Sequence, residues 1–366
     1  MKNIFYIANI RMPTEKAHGI QVVKMCEAFS NIGNNVELWV PNRWTKINEN
    51  PSNFYGIDES FEIKKLKCFD VVHWGKVGYR IEMISFLFSC FIKSFFKSGI
   101  FYTREESVAV ALSLLGKKVF WESHRGNINM FVKMIVFLKV PIVSISNGLK
   151  EFYVNLGVAE NRILVAPDGV DLKQFQVVTT KEESRKRLNL PLDKKIVMYI
   201  GLFEDWKGYK TILEASTLIL DDNIHFAMIG EGGNLEEFKV MYPNVTFVGY
   251  RPYKELPINQ ISADILLVPN SSKERISSHF TSPIKLFAHM TSGVPIVVSD
   301  LPSMREVVDE STATFFEPDN AESLAVVIKD VLLNFKLAIT KTQKSLEKVK
   351  VYTWRNRTIK ILEFIK

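Results

Sequence analysis

The sequence has few cysteines and none of them are paired. Cys26, Cys68 and Cys90 lie far apart and form neither a C-x-x-C pair nor a zinc-ligand spacing. This pattern excludes a disulfide-stapled scaffold and a small structural zinc site. We therefore expect reduced thiols, no metal site and a cytoplasmic location.

Long hydrophobic runs are also missing. Residues 4–8 follow the first three residues directly and are too short for the apolar core of a secretory signal. The most apolar stretch, residues 81–96, is shorter than the roughly 20 residues that a membrane span needs. Two interpretations remain for it, a helix of the core or a helix in a membrane interface with Lys93 and Lys97 beside its aromatic face. The second would make the protein peripherally membrane-associated.

The net charge of +7 suits an anionic partner such as a nucleotide diphosphate or an acidic membrane, although it serves solubility as well. The basic residues are scattered, and none form a stripe with interleaved aromatic residues. We therefore expect no nucleic-acid partner.

Short β-branched runs alternate with longer helical stretches along the whole chain. Runs typical of strands occur at residues 4–8, 36–40, 71–72, 100–102, 118–121, 142–145, 195–200, 225–229, 245–248, 264–268 and 295–298. This alternation predicts parallel βαβ units in an α/β fold with doubly wound sheets. At 366 residues the chain is long enough for two separate cores.

The second half repeats the pattern of the first, which predicts two Rossmann-like domains. We expect an N-terminal domain at residues 1–175, a second domain at 176–345, and a C-terminal helix at 346–366 that crosses back to the first domain. The break falls in residues 177–192, which are rich in Lys, Glu, Arg and Pro.

Glycine turns follow two strands of the second half. Gly201 ends the first of these strands and precedes Lys207-Gly208, while Gly230-Glu231-Gly232 ends the next. Ligands of open α/β sheets bind at this carboxyl edge, where glycine lets them approach the backbone. A single turn of this kind is more often ordinary turn geometry, and a lysine at a helix start is more often simply solvated.

The most informative segment runs from Ser282 to Asp300 and predicts a helix, a glycine turn and a buried strand. Together with the glycine turns it resembles family-4 glycosyltransferases of the GT-B fold. The residues that carry the resemblance are Gly201, Lys207-Gly208, Gly230-Glu231-Gly232, Val248-Gly249-Tyr250, Pro269 and Met290 through Val307.

The resemblance implies two Rossmann-like, doubly wound domains that face a cleft. It implies transfer of a sugar from a UDP- or GDP-linked donor to a glycan or lipid-linked acceptor, usually with retention of configuration and without an essential metal. The sequence has no Asp-x-Asp pair, the metal–diphosphate clamp of the other main glycosyltransferase fold. We expect no cofactor and a role in cell-surface polysaccharide or glycoconjugate synthesis.

The resemblance also implies roles for individual residues, most of them in the second half. Lys207 neutralises the departing diphosphate, and the backbone of Ser282-Pro283-Ile284 faces the phosphates or the sugar. The family often has an Arg where this chain has Leu202, and our hypothesis is that Lys285 supplies the missing charge. The expected donor-binding set is Gly19, Gly201, Lys207, Gly230, Gly232, Tyr250, Ser282, Pro283, Ile284 and Lys285.

In the first half, the segment Glu122-Ser123-His124 resembles the family's "E-x-H", whose His lies near the reacting carbon. We therefore expect His124 and Lys207 to be the catalytic residues. On the acceptor side we expect His18, Arg104 and Arg125, with Arg104 organising the site rather than reacting.

One departure from the family pattern matters. The family usually carries two Glu residues where this chain has Phe280 and Ala288. An active glycosyltransferase remains the leading interpretation. The alternatives are a non-catalytic partner subunit or carbohydrate-binding protein of the same fold, and an epimerase or phosphorylase.

Overall fold

The computed structural model describes residues 1–58, 60–176 and 179–366. The chain divides into two compact units, Met1–Pro167 with Trp354–Lys366, and Asp168–Thr353. The first change of unit thus falls at Pro167, and the predicted boundary falls at residue 175. Val177 and Val178, where the predicted linker begins, lie outside the described residues.

Within its described residues, unit 1 holds a seven-stranded sheet in the order β3-β2-β1-β4-β5-β6-β7, with all neighbours parallel. Its strands are β1 Asn3–Ile7, β2 Asn35–Pro41, β3 Glu62–Leu66, β4 Ile100–Thr103, β5 Lys118–Ser123, β6 Ile142–Ser144 and β7 Ile163–Val165. Its helices within Met1–Pro167 are α1 Ala17–Asn31, α2 Pro51–Tyr55, α3 Lys76–Phe95, α4 Glu106–Leu114, α5 Met130–Phe137 and α6 Asn147–Asn155.

Among its described residues, unit 2 holds a six-stranded sheet in the order β10-β9-β8-β11-β12-β13, again parallel throughout. Its strands are β8 Lys195–Ile200, β9 Ile224–Ile229, β10 Val245–Gly249, β11 Ile265–Val268, β12 Ile296–Ser299 and β13 Thr314–Phe316. Its helices are α7 Lys181–Arg187, α8 Tyr209–Leu218, α9 Leu235–Met241, α10 Leu256–Ile261, α11 Ile284–Met290, α12 Pro302–Arg305, α13 Ala321–Leu333 and α14 Phe335–Val349. The last helix, α15 Trp354–Phe364, belongs to unit 1.

The central strands form the cores because their apolar residues are covered on both faces. In unit 1, β1 and β4 are almost entirely buried, and the rings of Tyr6 and Tyr102 lie 5.1 Å apart on neighbouring strands. In unit 2, β11 and β12 are buried throughout. Such continuous apolar strands are typical of parallel sheets with helices on both sides. The predicted α/β class with two Rossmann-like, doubly wound sheets is confirmed.

Each sheet has a point where the strand order reverses. It lies between β1 and β4 in unit 1, and between β8 and β11 in unit 2. Connections on the two sides of such a point leave in opposite directions, so a crevice opens at the carboxyl ends of the two strands. The segments after these four strands are therefore the first places to look for a site.

One predicted strand is wrong and three strands were not predicted. Val71 and Val72 do not form a strand, because a short 3₁₀ turn spans Val72–Trp74 and the edge strand is β3. β3 carries Lys and Glu side chains and pairs on one side only, which conceals the usual apolar pattern. The other two strands, β7 and β13, are three-residue strands at the far edges of the sheets.

Candidate functional site

In unit 2, the segments after β8 and β9 touch through glycine at the carboxyl edge. Gly230 has φ +149°, and a Cβ there would clash with the Gly201 carbonyl oxygen. Gly201 itself has φ +156° and donates its N–H to Ile229 O at 2.9 Å. Both positions thus require glycine, and the predicted turns lie side by side at the expected edge.

The start of α8 packs in the same way against the end of β11. Gly208 has φ +70°, and a Cβ there would clash with the Pro269 carbonyl oxygen. The N–H of Ser271 donates to Trp206 O at 3.0 Å, which joins the two segments a second time. The residues around Lys207 therefore lie at the point where the strand order of unit 2 reverses.

Lys207 ends a 3₁₀ turn, Asp205–Lys207, that precedes Gly208 and α8. Its Nζ lies 3.0 Å from the Glu204 carboxylate, and the side chain is 15% exposed. The turn holds the ammonium group in place without removing it from solvent. Lys207 is therefore a positioned cation that a ligand can still reach.

Lys285, in the first turn of α11, is the other cation of this region. The residue is half-buried, but its Nζ has no contact with solvent and no hydrogen-bond partner among the described residues. The Nζ lies 4.7 Å above the centre of the Tyr199 ring. Burial lowers the pKa of this amine well below its usual value, and the positive charge of Lys207 lowers it further. The two lysines are thus close enough to repel each other.

The segment before α11 is held by its own contacts. The Ser282 hydroxyl accepts the Asp168 N–H at 2.8 Å, and Pro283 is the residue that caps α11. Ile284 opens the helix, and Tyr250 directly follows β10 and is half-buried. Gly232, at φ +129°, packs against the backbone of Phe203.

The two positions at which the family carries Glu are apolar and buried. Ala288 is fully buried on α11, and Phe280 ends a π-helical turn, Ile276–Phe280. Beside Ala288, the Nδ1 of His289 lies 2.7 Å from Gln260 Nε2, while its Nε2 is buried and has no partner among the described residues. Burial lowers the pKa of His289 to about 3, so the ring is neutral at neutral pH.

In unit 1, the segments after β4 and β5 hold a buried carboxylate network. Glu122 is fully buried on β5, and its Oε1 accepts from Gln21 Nε2 at 2.6 Å and lies 2.5 Å from His124 Nε2. Arg104 donates to the oxygen of the same Gln21 at 2.9 Å. Tyr102 donates its hydroxyl to Glu122 Oε2. Gln21 was not foreseen from the sequence, since a helix-face Gln carries no motif.

His124 lies at the solvent-facing end of this network, with 17% of its side chain exposed. Burial lowers the pKa of His124 to about 4, and the charge of Arg104 acts in the same direction against the opposing effect of Glu122. Burial alone would raise the pKa of Glu122, but the charge of Arg357 and the hydrogen bond from His124 hold it well below its usual range. At neutral pH the pair is therefore a neutral imidazole on a carboxylate.

The remaining predicted residues of unit 1 lie around His124. His18 and Gly19 lie in the first turn of α1, and burial lowers the pKa of His18 to about 3, with Arg104 as the next contributor. A Cβ at Gly19 would clash with the Tyr55 hydroxyl, which gives this glycine a packing reason. Arg125 is exposed, and its carbonyl accepts the Tyr153 hydroxyl at 2.8 Å.

In the three described ranges, no group of three or more His, Cys, Asp or Glu side chains is arranged to hold a metal ion. None of the described helices is long and apolar enough to cross a membrane. Two Rossmann-like parallel sheets, with the glycine segments and lysines of unit 2 at the switch point of its sheet, define a protein of the GT-B class.

Comparison with known proteins agrees with this class. Residues 180–347, which lie within unit 2, match the family model described as glycosyl transferases group 1. The resemblance to family-4-like glycosyltransferases of the GT-B fold, stated from the sequence, is confirmed.

Two relatives and one solved structure illustrate the similarity. WcaI of Escherichia coli, assigned to colanic acid biosynthesis as a glycosyl transferase, is 26% identical over 52% of this chain and 49% of its own length. The N,N'-diacetylbacillosaminyl-diphospho-undecaprenol α-1,3-N-acetylgalactosaminyltransferase of Campylobacter jejuni is 25% identical over 75% of this chain and 68% of its own. HepE of Anabaena, solved with UDP and glucose, superposes with a TM-score of 0.78 over 99% of both chains at 11% identity, which shows the fold alone.

Proposed function

We propose that this chain is a glycosyltransferase that moves a sugar from a nucleoside-diphosphate donor to a glycan or lipid-linked acceptor in cell-surface polysaccharide synthesis. The observation that carries the proposal is the pair Lys207 and Lys285 beside the glycine segments of unit 2. A buried amine without an acceptor is costly, and a diphosphate supplies both the missing oxygens and the opposing charge.

The chemistry follows from the leaving group. As the sugar–oxygen bond breaks, negative charge grows on the departing diphosphate and positive charge on the sugar. Lys207 and Lys285 stabilise the diphosphate without a metal ion, and the glycine backbone lets it come close. Fixed charges aimed at where charge develops lower the barrier more than they strengthen ground-state binding. The family resemblance implies retention of the anomeric configuration.

The relatives support the choice of substrates. The name of the Campylobacter jejuni relative specifies a sugar acceptor on diphospho-undecaprenol, and HepE was solved with UDP. We therefore extend to this chain a UDP-linked donor, with a GDP-linked donor as the alternative, and an acceptor of the lipid-linked or glycan class.

Peripheral membrane contact forms part of the proposal because of α3. One face of this helix is buried, and the opposite face is an apolar stripe, at helical spacing, that is exposed to solvent. The stripe consists of Val77, Ile81, Ile84, Phe88, Ile92 and Phe95. The expected cations Lys93 and Lys97 do not flank this stripe, because Lys93 lies over the Trp39 ring and Lys97 pairs with Glu37. The exposed cations Lys76 and Arg80 lie at its N-terminal end instead. An apolar stripe beside cations on a chain of net charge +7 suits the surface of an anionic lipid bilayer.

A second candidate function rests on Ala288 and Phe280. Both are buried and apolar, so neither can hold a sugar or ribose hydroxyl as a Glu would. Each hydrogen bond to a charged group contributes about 1.5–3 kcal/mol. Loss of both favours a non-catalytic partner subunit or carbohydrate-binding protein of the same fold, unless Lys285 and His289 replace them.

The deciding experiment is a screen of UDP- and GDP-sugars, read as release of the nucleoside diphosphate in the presence of EDTA and as thermal stabilisation of the protein. We expect stabilisation by one nucleotide class, weakened in Lys285→Met and retained in Lys210→Met. Lys210 is a matched control because it is exposed and pairs with Asp205 at 2.8 Å. Absence of binding at millimolar nucleotide would instead support the non-catalytic candidate.

A further inference from the structure

Arg357, on the C-terminal helix α15, reaches the carboxylate that holds His124. The residue is buried, and its Nε donates to the backbone oxygens of Ala166 at 3.1 Å and Pro167 at 3.0 Å. One terminal nitrogen lies 3.2 Å from Glu122 Oε2. The backbone contacts fix the guanidinium, so its charge has a defined position against the carboxylate.

The two oxygens of Glu122 have different partners. Oε2 faces Arg357 and the hydroxyl of Tyr102, whereas Oε1 faces Gln21 and His124 Nε2. Arg357 and Tyr102 therefore hold one oxygen while the other is directed at the imidazole. A fully buried carboxylate keeps its charge only where such partners replace water.

This arrangement decides which nitrogen of His124 carries the proton. A carboxylate only accepts hydrogen bonds, so Nε2 must donate to Glu122 Oε1 at 2.5 Å. In a neutral imidazole the other nitrogen is then an acceptor. Nδ1 is left with a lone pair for a hydroxyl of a bound sugar or acceptor.

We propose that Arg357 is a positioning residue that fixes Glu122, and through it holds His124 as the tautomer whose Nδ1 accepts a hydrogen bond from the substrate. The role of the tautomer in transfer rests on the proposed function. The geometry of Arg357, Glu122 and His124 is independent of the proposed function.

Several charged groups act on this imidazole from the elements around it. Arg104 after β4, Glu122 on β5 and Arg357 on α15 all influence the pKa of His124. His18 on α1 and Arg125 form part of the same electrostatic group. Loss of the Arg357 charge raises the pKa of both Glu122 and His124, whereas Lys at this position keeps both low.

The test uses the full chain, labelled with ¹⁵N-histidine, without any ligand. Nitrogen chemical shifts of His124 should show the Nε2–H tautomer in the wild type and in Arg357→Lys. In Arg357→Gln, which keeps a donor for the two carbonyls, the preference should fall by about tenfold, the size expected for the loss of one charged contact to a buried carboxylate. The acid titration of His124 should also move to higher pH in this variant.

A control separates positioning from simple docking of the helix. Ile361 is fully buried on α15, and it is not among the partners of the Glu122 carboxylate. Ile361→Val should lower the melting temperature and leave the tautomer unchanged. The same tautomer shift in Ile361→Val, or an unchanged tautomer in folded Arg357→Gln, would overturn the proposal. If Arg357→Gln does not fold, a mixture of the two tautomers in Arg357→Lys would overturn the proposal.

Activity gives an independent readout. Once a donor is known, Arg357→Gln should lower kcat more than it changes KM, and should move the acid limb of the pH–rate profile to higher pH. Arg357→Lys should restore both. If no donor is found while the tautomer results hold, the proposed function fails and the positioning of His124 by Arg357 stands.

Discussion

The Nζ of Lys285 lies 4.7 Å above the centre of the Tyr199 ring and has no hydrogen-bond acceptor among the described residues. The ring contact replaces only part of the hydration that the ammonium loses. The amine of Lys285 can therefore take up a proton when an anion binds beside it. An anion that binds beside it raises its pKa and draws a proton from solution.

This linkage predicts that donor binding depends on pH. A nucleotide sugar carries two fully ionised diester phosphates, so its own charge is constant near neutrality. Because the pKa of Lys285 is lowered in the free protein and rises in the complex, affinity should fall as pH rises, by up to about tenfold per pH unit. Calorimetry in two buffers of different ionisation enthalpy should show proton uptake.

The matched variant for this prediction is Lys285→Met, which removes the proton site and keeps an unbranched side chain. Its affinity should be lower, and its pH slope clearly flatter than that of the wild type. An equal slope in both proteins would assign the proton to another group.

Lys207→Ala should reduce transfer while the protein stays folded. Loss of one charged contact to the diphosphate, about 1.5–3 kcal/mol, lowers kcat/KM by roughly 10- to 150-fold. Lys207 is partly exposed and paired with Glu204, so its contribution to stability is small, and the melting temperature should barely change. Lys210→Ala is the control, and turnover like that of the wild type in Lys207→Ala would remove this residue from the mechanism.

Gly230→Ala should disrupt the carboxyl edge of unit 2. The new Cβ would clash with Gly201 O and force both glycine segments apart. Gly249→Ala is the control, because Gly249 has φ +84° but open space around its Cβ position. Strain alone costs roughly 1–2 kcal/mol, so chemical denaturation should show a larger loss for Gly230→Ala. Nucleotide binding should survive only in the control.

Asp264→Ala should lower the stability of unit 2 by more than the loss of a surface ion pair would. Asp264 is buried, lies 2.6 Å from an Arg185 nitrogen and accepts the Ile196 N–H at 2.7 Å. Removing one partner of a buried pair leaves an uncompensated charge and costs about 3–5 kcal/mol. Asp300→Ala breaks an exposed pair with Arg305 and should cost about 1 kcal/mol or less.

The same carboxyl group sets an acid limit on stability. Burial raises the pKa of Asp264, but the Ile196 N–H and the charges of Lys181 and Arg185 outweigh it and leave the pKa below its usual value. A lowered pKa in the folded state stabilises the protein above the usual carboxyl pKa. The stabilisation is lost as pH falls through the folded-state value. Urea denaturation of the wild type between pH 7 and pH 3 should show this loss, and Asp264→Ala should show less of it.

The apolar stripe of α3 predicts binding to anionic vesicles. The protein should float with vesicles that contain phosphatidylglycerol and remain in solution with neutral ones. Phe88→Ser combined with Ile84→Ser removes two exposed side chains, so it should abolish flotation and leave the melting temperature unchanged. Leu220→Ser, an exposed apolar residue of unit 2, is the control. If wild-type protein stays in solution with both kinds of vesicle, the membrane proposal is wrong.

The elements that could be predicted are those whose sequence pattern is local. Buried central strands such as β1 and β11 are continuous apolar runs, and their alternation with helices was sufficient to predict two parallel sheets. β3 could not be recognised because one side of an edge strand faces solvent and tolerates Lys64 and Lys65. Val71 and Val72 look like a strand in sequence, yet lie at a turn before α3.

The same contrast holds for the candidate site: residues that directly follow strands were predicted, whereas contacts between distant elements were not. Gly201 and Gly230 follow strands directly, and their backbone angles explain why glycine is required. Two partners of Glu122, Gln21 and Arg357, come from α1 and α15, which no local pattern connects. The burial of Lys285 is equally invisible in sequence, because its amine lies over the Tyr199 ring of a distant strand, β8. The roles assigned to these residues stay predictions.

The membership of α15 in unit 1 has a consequence for synthesis on the ribosome. Residues 168–353, the whole of unit 2, emerge before the helix that unit 1 needs to finish its core. Until α15 is made, Glu122 lacks the charge of Arg357. A fragment that ends before residue 354 should therefore engage holding chaperones more than the longer chain does.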